Sequence, residues 1–250
     1  MTRDRGEHLG GTIVPGPRAV LELLRTGRRR VRSVSIARGR PDTTLDDITS
    51  RAHAASIPVR HVESDDVSKE AGIESAQGVV ARADPLTPTP LSSLLDDTGA
   101  FLVALDGVTD PRNLGAVLRS AVAAGATGAV VPRRRSALLT PAAMKAAAGA
   151  AEHLPMALVG GVASALDQAA RVGVWAVGLD ADGGTPIYDV AVADRPLVLV
   201  LGAEGRGLAR LVRERCDVVA RVPMVGPIES LNVSAAAAVA CFEVARHRAG

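Results

Sequence analysis

The 250-residue chain has two cysteines, Cys216 and Cys241. Two thiols are too few for the disulfide framework of a small secreted domain or for a cysteine-rich zinc site. The histidines stand outside any metal-binding or protease motif such as H-E-x-x-H. They are His8, His53, His61, His153 and His247. We therefore expect reduced thiols, solvated or packed histidines, and no metal.

Aromatic residues are also scarce, since Phe101, Trp175, Tyr188 and Phe242 are the whole set. Stacking of bases on aromatic rings therefore cannot be the main way in which this chain binds a nucleic acid. Long apolar runs are missing too. No stretch reaches the roughly 18 uninterrupted apolar residues of a membrane span, and the polar N-terminal sequence lacks the apolar core of a signal peptide. We expect a cytoplasmic protein without a membrane partner.

Arginine is abundant at one end of the chain. The formal net charge is +2, but residues 1–40 hold ten arginines against three acids, Asp4, Glu7 and Glu22. A basic segment on a near-neutral protein is typical of a surface that binds a polyanion such as RNA through its phosphates. The alternative is that these arginines form a solvated face.

Composition divides the chain into four parts. A polar tail covers residues 1–11, and Pro, Ser, Thr and Asp concentrate in residues 84–98, which predicts a linker. In residues 12–83, short β-branched runs alternate with helical stretches and predict a small α/β domain. Its predicted strands cover 31–36, 58–62 and 78–83, and its predicted helices cover 18–26 and 44–55.

The fourth part, residues 99–250, alternates apolar runs with helical sequence. Because the runs are apolar on both faces, they predict a parallel sheet covered by helices. The last stretch, 231–248, predicts a long helix whose early residues are almost all small, which allows close approach to the core or to another subunit. The predicted strands are 101–105, 128–131, 156–159, 175–179, 197–201 and 218–222.

Three segments of this fourth part place polar residues after predicted strands. The first, DGVTDPRNLGAVLRS at 106–120, is a turn that leads into a helix with an apolar stripe. Asn113 is predicted to start that helix, and Arg119 to lie on it. Taken alone, the two residues also fit a helix-capping asparagine and a surface arginine.

The second segment, LVLVLGAEGRGLARL at 197–211, runs from an apolar strand into a glycine-rich turn that carries Glu204. Glycines after a parallel strand let a ligand approach the backbone at the carboxyl edge of the sheet. The order G-x-G-x-x-G is absent after the first strand of this domain, and G-x-x-x-x-G-K-[ST] occurs nowhere. Ordinary Rossmann and P-loop nucleotide sites are therefore excluded.

The third segment, VPMVGPIESLNVSAAAAVA at 222–240, joins a strand, a loop with Pro and Gly, and the start of the last helix at Ser230 and Asn232. Ser230 fits a helix N-cap, with Glu229 near the positive end of the helix dipole. Exposed N–H groups and small polar side chains at that position also suit phosphate or carboxylate binding. Both interpretations stay open from the residues alone.

Together, DPRNLGAVLRS, LGAEGRG and VPMVGPIESLNVSAAAAVA resemble the three signature motifs of the SpoU (TrmH) family of RNA ribose methyltransferases, in the SPOUT superfamily. Residues 133–155 and 173–183 resemble the branch that methylates a guanosine in the peptidyl-transferase region, domain V, of 23S ribosomal RNA. Residues 12–83, on shorter patterns, resemble that family's substrate-binding domain, which is similar to the fold of ribosomal protein L30e.

The resemblance implies an α/β protein in which a small L30e-like domain precedes a parallel-sheet catalytic domain, residues 99–250, with a C-terminal deep trefoil knot. It also implies a homodimer, S-adenosyl-L-methionine as cofactor, and RNA, above all 23S rRNA, as partner. By position, the family's catalytic residues are Asn113, Arg119, Glu204, Ser230 and Asn232. Positions that hold S-adenosylmethionine, largely through backbone groups, are Gly202, Val222 and Leu231.

Arg119 is the residue that we expect nearest the reacting ribose hydroxyl. Methyl transfer to that oxygen needs in-line geometry, loss of its proton and a positive field for the developing charge. The family view gives Arg119 a base-like role, yet guanidinium groups stay protonated in proteins. We expect Arg119 to contact the ribose-phosphate and to stabilise the nascent alkoxide, while the other four catalytic residues orient it, the loops and the substrate.

Two other functions fit the same motifs. One is the same chemistry on tRNA or on another 23S rRNA nucleotide, as in antibiotic-resistance methyltransferases. The other is a non-catalytic RNA-binding or ribosome-assembly module that keeps the fold without turnover. The 133–155 stretch argues against the first, and the intact set of catalytic positions argues against the second.

Overall fold

The computed structural model describes residues 8–39, 42–134 and 136–250. The part that we call the N-terminal lobe, residues 13–83, holds the elements β1 (Ile13–Pro15), α1 (Pro17–Thr26), β2 (Val31–Ala37), α2 (Thr43–Ala54), β3 (Val59–Val62), α3 (Ser64–Ala71) and β4 (Val79–Ala83). Its four strands form one sheet in the order β1-β4-β2-β3. β2 and β3 are parallel, whereas β4 is antiparallel to both β1 and β2.

The predicted elements of the N-terminal lobe are confirmed to within one residue at each end. α1 forms because its apolar residues recur at helical spacing and are buried, and Gly27 ends it in the left-handed conformation, with φ 59°. The sequence did not predict β1 or α3. β1 has three residues, and α3 buries only Val67 and Ala71, so neither gives a strong periodic signal.

Buried residues and a short helix lie in the described part of the predicted tail and linker. Residues 1–7 of that tail lie outside the described residues. Leu9, in the rest of the tail, is buried and forms backbone hydrogen bonds with Leu86 and Leu139. Inside the predicted linker, a short helix, α4 (Leu91–Leu95), buries two leucines in an apolar cluster with residues of the second sheet. Burial of these leucines outweighs the weak local propensity of the proline-rich sequence.

The C-terminal lobe, residues 101–248, is built on the second sheet. Its strands are β5 (Phe101–Leu105), β6 (Gly128–Pro132), β7 (Met156–Val159), β8 (Trp175–Leu179), β9 (Thr185–Pro186), β10 (Leu197–Leu201) and β11 (Val218–Arg221). Its helices are α5 (Pro111–Ala123), α6 (Pro141–Ala147), α7 (Ala150–His153), α8 (Val162–Arg171), α9 (Arg210–Arg213) and α10 (Val233–Arg248), with a 3-10 turn at Ile187–Asp189.

The predicted parallel sheet is confirmed: the strands lie in the order β7-β6-β5-β10-β8-β11-β9, and each neighbouring pair is parallel. β5, β6 and β10 are buried along their whole length, as strands covered on both faces must be. The sheet grows from β5 through β6 and β7 on one side, whereas β10 and β8 lie on the other. The carboxyl ends of β5, β10 and β8 are in register, so the loops after them meet in a crevice where open α/β sheets bind ligands.

The two lobes share one apolar core, which runs from Val14 and Leu23 of the N-terminal lobe to Met144 of the C-terminal lobe. β1 packs on α6, and α1 packs on α7. Just before β1, Gly10 forms an isolated parallel bridge with Leu139. The lobes therefore meet over a continuous packed interface.

The last helix, α10, packs on α5 through small buried residues, among them Ala237 and Ala240. Arg248 fastens its far end. The guanidinium donates to the carbonyl oxygens of Gly99, Ala100, Ala193 and Arg195 at 2.7, 3.0, 3.3 and 2.6 Å and lies 5.2 Å from the centre of the Phe101 ring. α10 thus secures the amino-terminal edge of the sheet, the edge opposite the crevice.

Within the described part of the chain, no helix combines the length and the hydropathy that a membrane span requires. Among the same residues, no three His, Cys, Asp or Glu side chains gather as a metal-binding group. Burial raises the pKa of both thiols, Cys216 and Cys241, to about 12, so neither is activated as a nucleophile.

Candidate active site

A cavity of about 860 Å³ opens in the crevice at the carboxyl edge of the C-terminal sheet. Its wall comes from three segments, at 179–182 after β8, at 201–207 after β10 and between 221 and 233 after β11. A volume of this size suits a small-molecule ligand. The wall includes six of the residues that the sequence singles out: Gly202, Glu204, Val222, Ser230, Leu231 and Asn232.

The turn after β10 folds back on itself because Gly202 has no side chain. A Cβ at that position would lie 2.7 Å from the amide nitrogen of Leu208 and closer still to the backbone of Gly207. Ala203 and Gly207 close the turn with an isolated antiparallel bridge, and Gly207 adopts a positive φ of 62°. This close approach brings the backbone of the turn to the wall of the cavity.

Asn113, Glu204 and Asn232 come from three distant parts of the chain and form one hydrogen-bond network. The Nδ2 group of Asn113 donates to Glu204 Oε1 at 2.8 Å. The Nδ2 group of Asn232 donates to the same oxygen at 2.6 Å and to Asn113 Oδ1 at 3.2 Å. Because two amides donate to one oxygen, position 204 needs an acceptor oxygen, and a carboxylate supplies one that carries charge. The network ties α5, the turn after β10 and the start of α10 together.

α10 begins at Val233 rather than at Leu231, and its N-cap is Asn232 rather than Ser230. The Oδ1 atom of Asn232 accepts from the Ser234 amide at 2.8 Å, as an N-cap requires. Its Nδ2 group is therefore turned toward the network. Ser230 is exposed at the cavity wall, with no hydrogen bond of its side chain to the residues described.

α5 begins two residues before the predicted start. Asp110 is its N-cap and Pro111 its first residue, so Asn113 lies inside the first turn. Arg119 lies about one and two-thirds turns farther along and is exposed. It is not part of the cavity wall, and its side chain makes no hydrogen bond or ion pair with the part of the chain that the structure describes. The structure thus brings Asn113 into the network but leaves Arg119 outside it.

Two aspartates that the motifs do not single out hold the turn after β10 from either side. Asp106, directly after β5, accepts a hydrogen bond from the Ala209 amide at 2.7 Å. Asp180, directly after β8, accepts one from the Leu208 amide at 3.0 Å. Both carboxylates follow the last residue of a predicted parallel strand, and this position is the signal that points to them in the sequence.

Asp180 also lines the cavity and carries a fixed negative charge. Burial acts to raise the pKa of this carboxyl, but the amides of Leu208 and Asp182 and the Arg213 guanidinium, 3.2 Å away, outweigh burial and lower the pKa below its usual range. Gly207 lies against the carboxylate, where a Cβ would collide with it. Asp180 therefore stays ionised at neutral pH and anchors the turn.

Models of known families match both lobes. The model of the SpoU rRNA methylase family matches residues 100–242, and a model described as RNA 2'-O ribose methyltransferase substrate binding matches residues 13–89. This chain belongs to the SpoU rRNA methylase family. The resemblance seen in the three motifs is confirmed, and the protein is an RNA methyltransferase.

Relatives of this SpoU family member extend over both lobes. The 23S rRNA (guanosine-2'-O-)-methyltransferase RlmB of Pseudomonas putida is 40% identical over 239 residues, which cover 93% of this chain and 95% of the relative. A Mycobacterium ulcerans protein named as an uncharacterized tRNA/rRNA methyltransferase is 43% identical over 240 residues, 94% of this chain and 77% of the relative. The SpoU methyltransferase AviRb of Streptomyces viridochromogenes, solved with AdoMet, is 25% identical, with a TM-score of 0.79 over 95% of this chain and 90% of its own.

Proposed function

We propose that this protein transfers the methyl group of S-adenosylmethionine to the ribose 2'-hydroxyl of a guanosine in domain V of 23S rRNA. The observation that carries the proposal is the hydrogen-bond network of Asn113, Glu204 and Asn232, one residue from each motif, beside the cavity that the second and third motifs line. The Pseudomonas putida relative, a 23S rRNA (guanosine-2'-O-)-methyltransferase by name, supports this target and aligns with 93% of the chain.

The cavity fits the cofactor. Its volume of about 860 Å³ admits a molecule of this size, and its wall offers backbone groups at Gly202, Val222 and Leu231. Because Gly202 has no side chain, the turn folds back on the backbone of Leu208 and shapes this part of the cavity wall. When bound, S-adenosylmethionine supplies an electrophilic methyl group on a sulfonium sulfur. The AviRb structure, which holds AdoMet on the same fold, supports this assignment.

The side chains around the cavity divide the remaining work. Glu204 and the two asparagines hold the turn after β10 against α5 and α10, which fixes the cavity wall before RNA binds. Ser230 presents a hydroxyl with no partner among the residues described, and so can bind the ribose or its phosphate. Arg119, exposed on α5, meets the phosphate and stabilises negative charge on the 2'-oxygen as the proton leaves.

The chain is organised, in this proposal, as an RNA-binding domain at 12–83, a connection at 84–98 and a catalytic domain at 99–250. The four-stranded sheet with its three helices supports an L30e-like domain, and the match to the substrate-binding model supports its role. The proposal includes a C-terminal trefoil knot, in which the segment before α10 meets the folded-back turn after β10, as Asn232 does through its hydrogen bond to Glu204.

A homodimer is supported by an apolar surface beside the cavity. Met224, Val225, Ile228 and Leu231 are exposed on the loop before α10, and Phe242 is exposed on α10 itself. Val225 has no neighbour that shields it, since its side chain is fully accessible. Four large exposed apolar side chains on one loop favour a site of association. A second copy of this chain is the occupant that the proposal assigns to this surface.

The name of the Mycobacterium ulcerans relative keeps tRNA as a second target to be tested. Purified protein should incorporate tritiated methyl from S-adenosylmethionine into a transcript of 23S domain V and leave tRNA unlabelled. Replacing the labelled guanosine by its 2'-deoxy form should abolish incorporation, because the acceptor oxygen is gone. Label in tRNA alone would show that tRNA, rather than 23S rRNA, is the substrate. If neither RNA is labelled although the cofactor binds, the non-catalytic alternative is favoured.

Asp180→Asn is expected to weaken S-adenosylmethionine binding by about 10-fold. Both carboxylate oxygens of Asp180 accept backbone N–H groups, from Asp182 and Leu208. Asparagine has one acceptor oxygen, so its NH2 group faces the other N–H, which is left unpaired at a cost of about 1–3 kcal/mol. Calorimetric titration measures the change. Asp217→Asn is a control for the loss of a carboxylate outside the cavity wall, since Asp217 accepts one backbone N–H, from Ala176 at 2.8 Å. Equal losses in both variants would contradict a role of Asp180 in the cofactor site.

A further inference from the structure

One buried ion pair joins the two lobes. Arg29 lies between α1 and β2, and Glu152 lies on α7. The guanidinium binds the carboxylate through two bonds, Nε to Oε2 at 3.0 Å and Nη2 to Oε1 at 2.5 Å. The side chains are 5% and 0% exposed, so this pair is shielded from water far more than a surface salt bridge.

The remaining donors of Arg29 fix its position on the N-terminal side. Its Nη1 group donates to the carbonyl oxygens of Gly11, before β1, at 2.7 Å and of Asp84, after β4, at 2.5 Å. Arg28 donates in turn to the carbonyl oxygen of Glu152 at 2.9 Å. The guanidinium thus joins both ends of the N-terminal lobe to α7, and its planar fork accepts one arrangement of these partners.

Stability alone does not call for such a pair. Removing two charges from water is costly, and apolar residues of similar volume often replace a buried pair without loss of stability. The partners here come from opposite sides of the lobe interface, where the apolar core is already continuous. The pair adds a fixed orientation of one lobe relative to the other. Apolar side chains can shift past one another without losing contact, whereas a bidentate ion pair is lost when its partners shift.

α7 connects the pair to the active site. It packs on α5, the helix that carries Asn113 and Arg119. A shift of the N-terminal lobe would therefore move bound RNA relative to the residues that meet its ribose. A misplacement of about 1 Å far from the reacting atoms can reduce turnover about 100-fold.

We propose that Arg29 and Glu152 are positioning residues that hold the RNA-binding lobe in the single orientation in which the target ribose reaches the cofactor cavity. The proposal rests on the proposed function, since it assigns RNA binding to the N-terminal lobe. It gives one arginine of the basic N-terminal segment a task other than contact with RNA.

Three changes test it: Arg29→Lys, Glu152→Gln, and the apolar pair Arg29→Met with Glu152→Leu. Each is expected to lower kcat/KM for the domain V transcript by about 10-fold or more while the Kd for S-adenosylmethionine stays within twofold of wild type. The apolar pair is the deciding variant, because it removes both charges together and leaves neither one buried without a partner. We expect a lowered Tm, since the carbonyl oxygens of Gly11 and Asp84 lose their donor, and a low kcat/KM at temperatures where the variant is folded. A wild-type kcat/KM in this folded variant would show that the pair only stabilises the fold.

Ile48→Val is the control for lowered stability. Ile48 is fully buried inside the N-terminal lobe, and its shortening creates a small cavity without touching the ion pair. This variant should lose Tm and keep the wild-type kcat/KM at temperatures where it is folded. A loss of kcat/KM equal to that of Arg29→Lys would overturn the positioning role.

A second readout needs no methyl transfer and therefore separates this inference from the proposed function. Spin labels on cysteines introduced at Asp65 and Ala170, both exposed and in different lobes, report the distance between the lobes in a Cys216→Ser background. Electron–electron double resonance should give one narrow distance distribution in the parent protein and a broader or shifted one in Arg29→Lys and in the apolar pair. An unchanged distribution in these variants would overturn the proposal even if the wild-type protein methylates RNA.

Discussion

Replacement of Arg119 by lysine is expected to lower single-turnover methyl transfer by about 100-fold, nearly as much as replacement by alanine. A donor that meets charge developing in the transition state contributes on this scale. Lysine keeps the charge but loses the planar fork that can hold a phosphate and the ribose oxygen together. The measurement is a single-turnover assay on the domain V transcript with saturating S-adenosylmethionine, with cofactor affinity expected to stay near the wild-type value.

Arg171→Ala is the matched control, since Arg171 is also an exposed arginine near a helix end, on α8, and lies outside the cavity wall. It should leave turnover unchanged. If Arg119 only solvated a face of α5, Arg119→Ala would behave in the same way, because exposed charges contribute about 0–1 kcal/mol to stability. A lysine variant within a few-fold of wild type would refute the geometric role, and an active alanine variant would refute any role in catalysis.

Gly202→Ala is expected to weaken S-adenosylmethionine binding by about 100-fold. The new methyl group would collide with the backbone of Gly207 and Leu208, which cannot move aside as a flexible side chain can. Overpacking of this kind costs about 1–3 kcal/mol, and relief requires the turn after β10 to leave the cavity wall. Calorimetric titration of the cofactor measures the loss, and Glu204 should lose its partners at the same time.

Gly226→Ala makes the same chemical change in the same cavity wall. No atom lies within 4 Å of a Cβ built at Gly226, so this variant should bind the cofactor as the wild type does. Similar affinities of the two variants would show that the folded-back turn is not needed for cofactor binding. Circular dichroism should confirm that both variants keep the fold, since a general loss of structure would also weaken binding.

The strands and the three motifs were predictable because apolar periodicity and glycine position are local properties of the sequence. The two helix starts in the site were not. Asn113 and Ser230 look like capping residues, yet Asp110 and Asn232 take the caps. Several short polar residues compete for each cap, and tertiary contacts decide among them. In α10, Asn232 donates its Nδ2 group to Glu204, which leaves its Oδ1 atom to cap the helix.

Charge alone does not tell which arginines are free to contact RNA. The sequence suggests that arginines near the N-terminus contact RNA, but Arg29 is buried on Glu152, and Arg25 and Arg32 pair with acids of their own lobe or its connection. In the described part of residues 1–40, only Arg18 and Arg30 have no side-chain hydrogen bond or ion pair. A charge count cannot distinguish a group that faces solvent from one that finds a partner 123 positions away, as Arg29 does in Glu152.

The anchoring of Arg248 bears on the order in which the protein is made. The carbonyl oxygens that accept hydrogen bonds from the Arg248 guanidinium belong to residues just before β5 and β10. α10, which carries Arg248, follows every strand in the chain. During synthesis, the N-terminal lobe can fold as soon as it leaves the ribosome, since domains fold as units from the N-terminus. The amino-terminal ends of β5 and β10 have to wait for these hydrogen bonds until α10 has emerged. Nascent chains stalled before residue 248 should therefore lack the anchor at the edge of the sheet opposite the crevice.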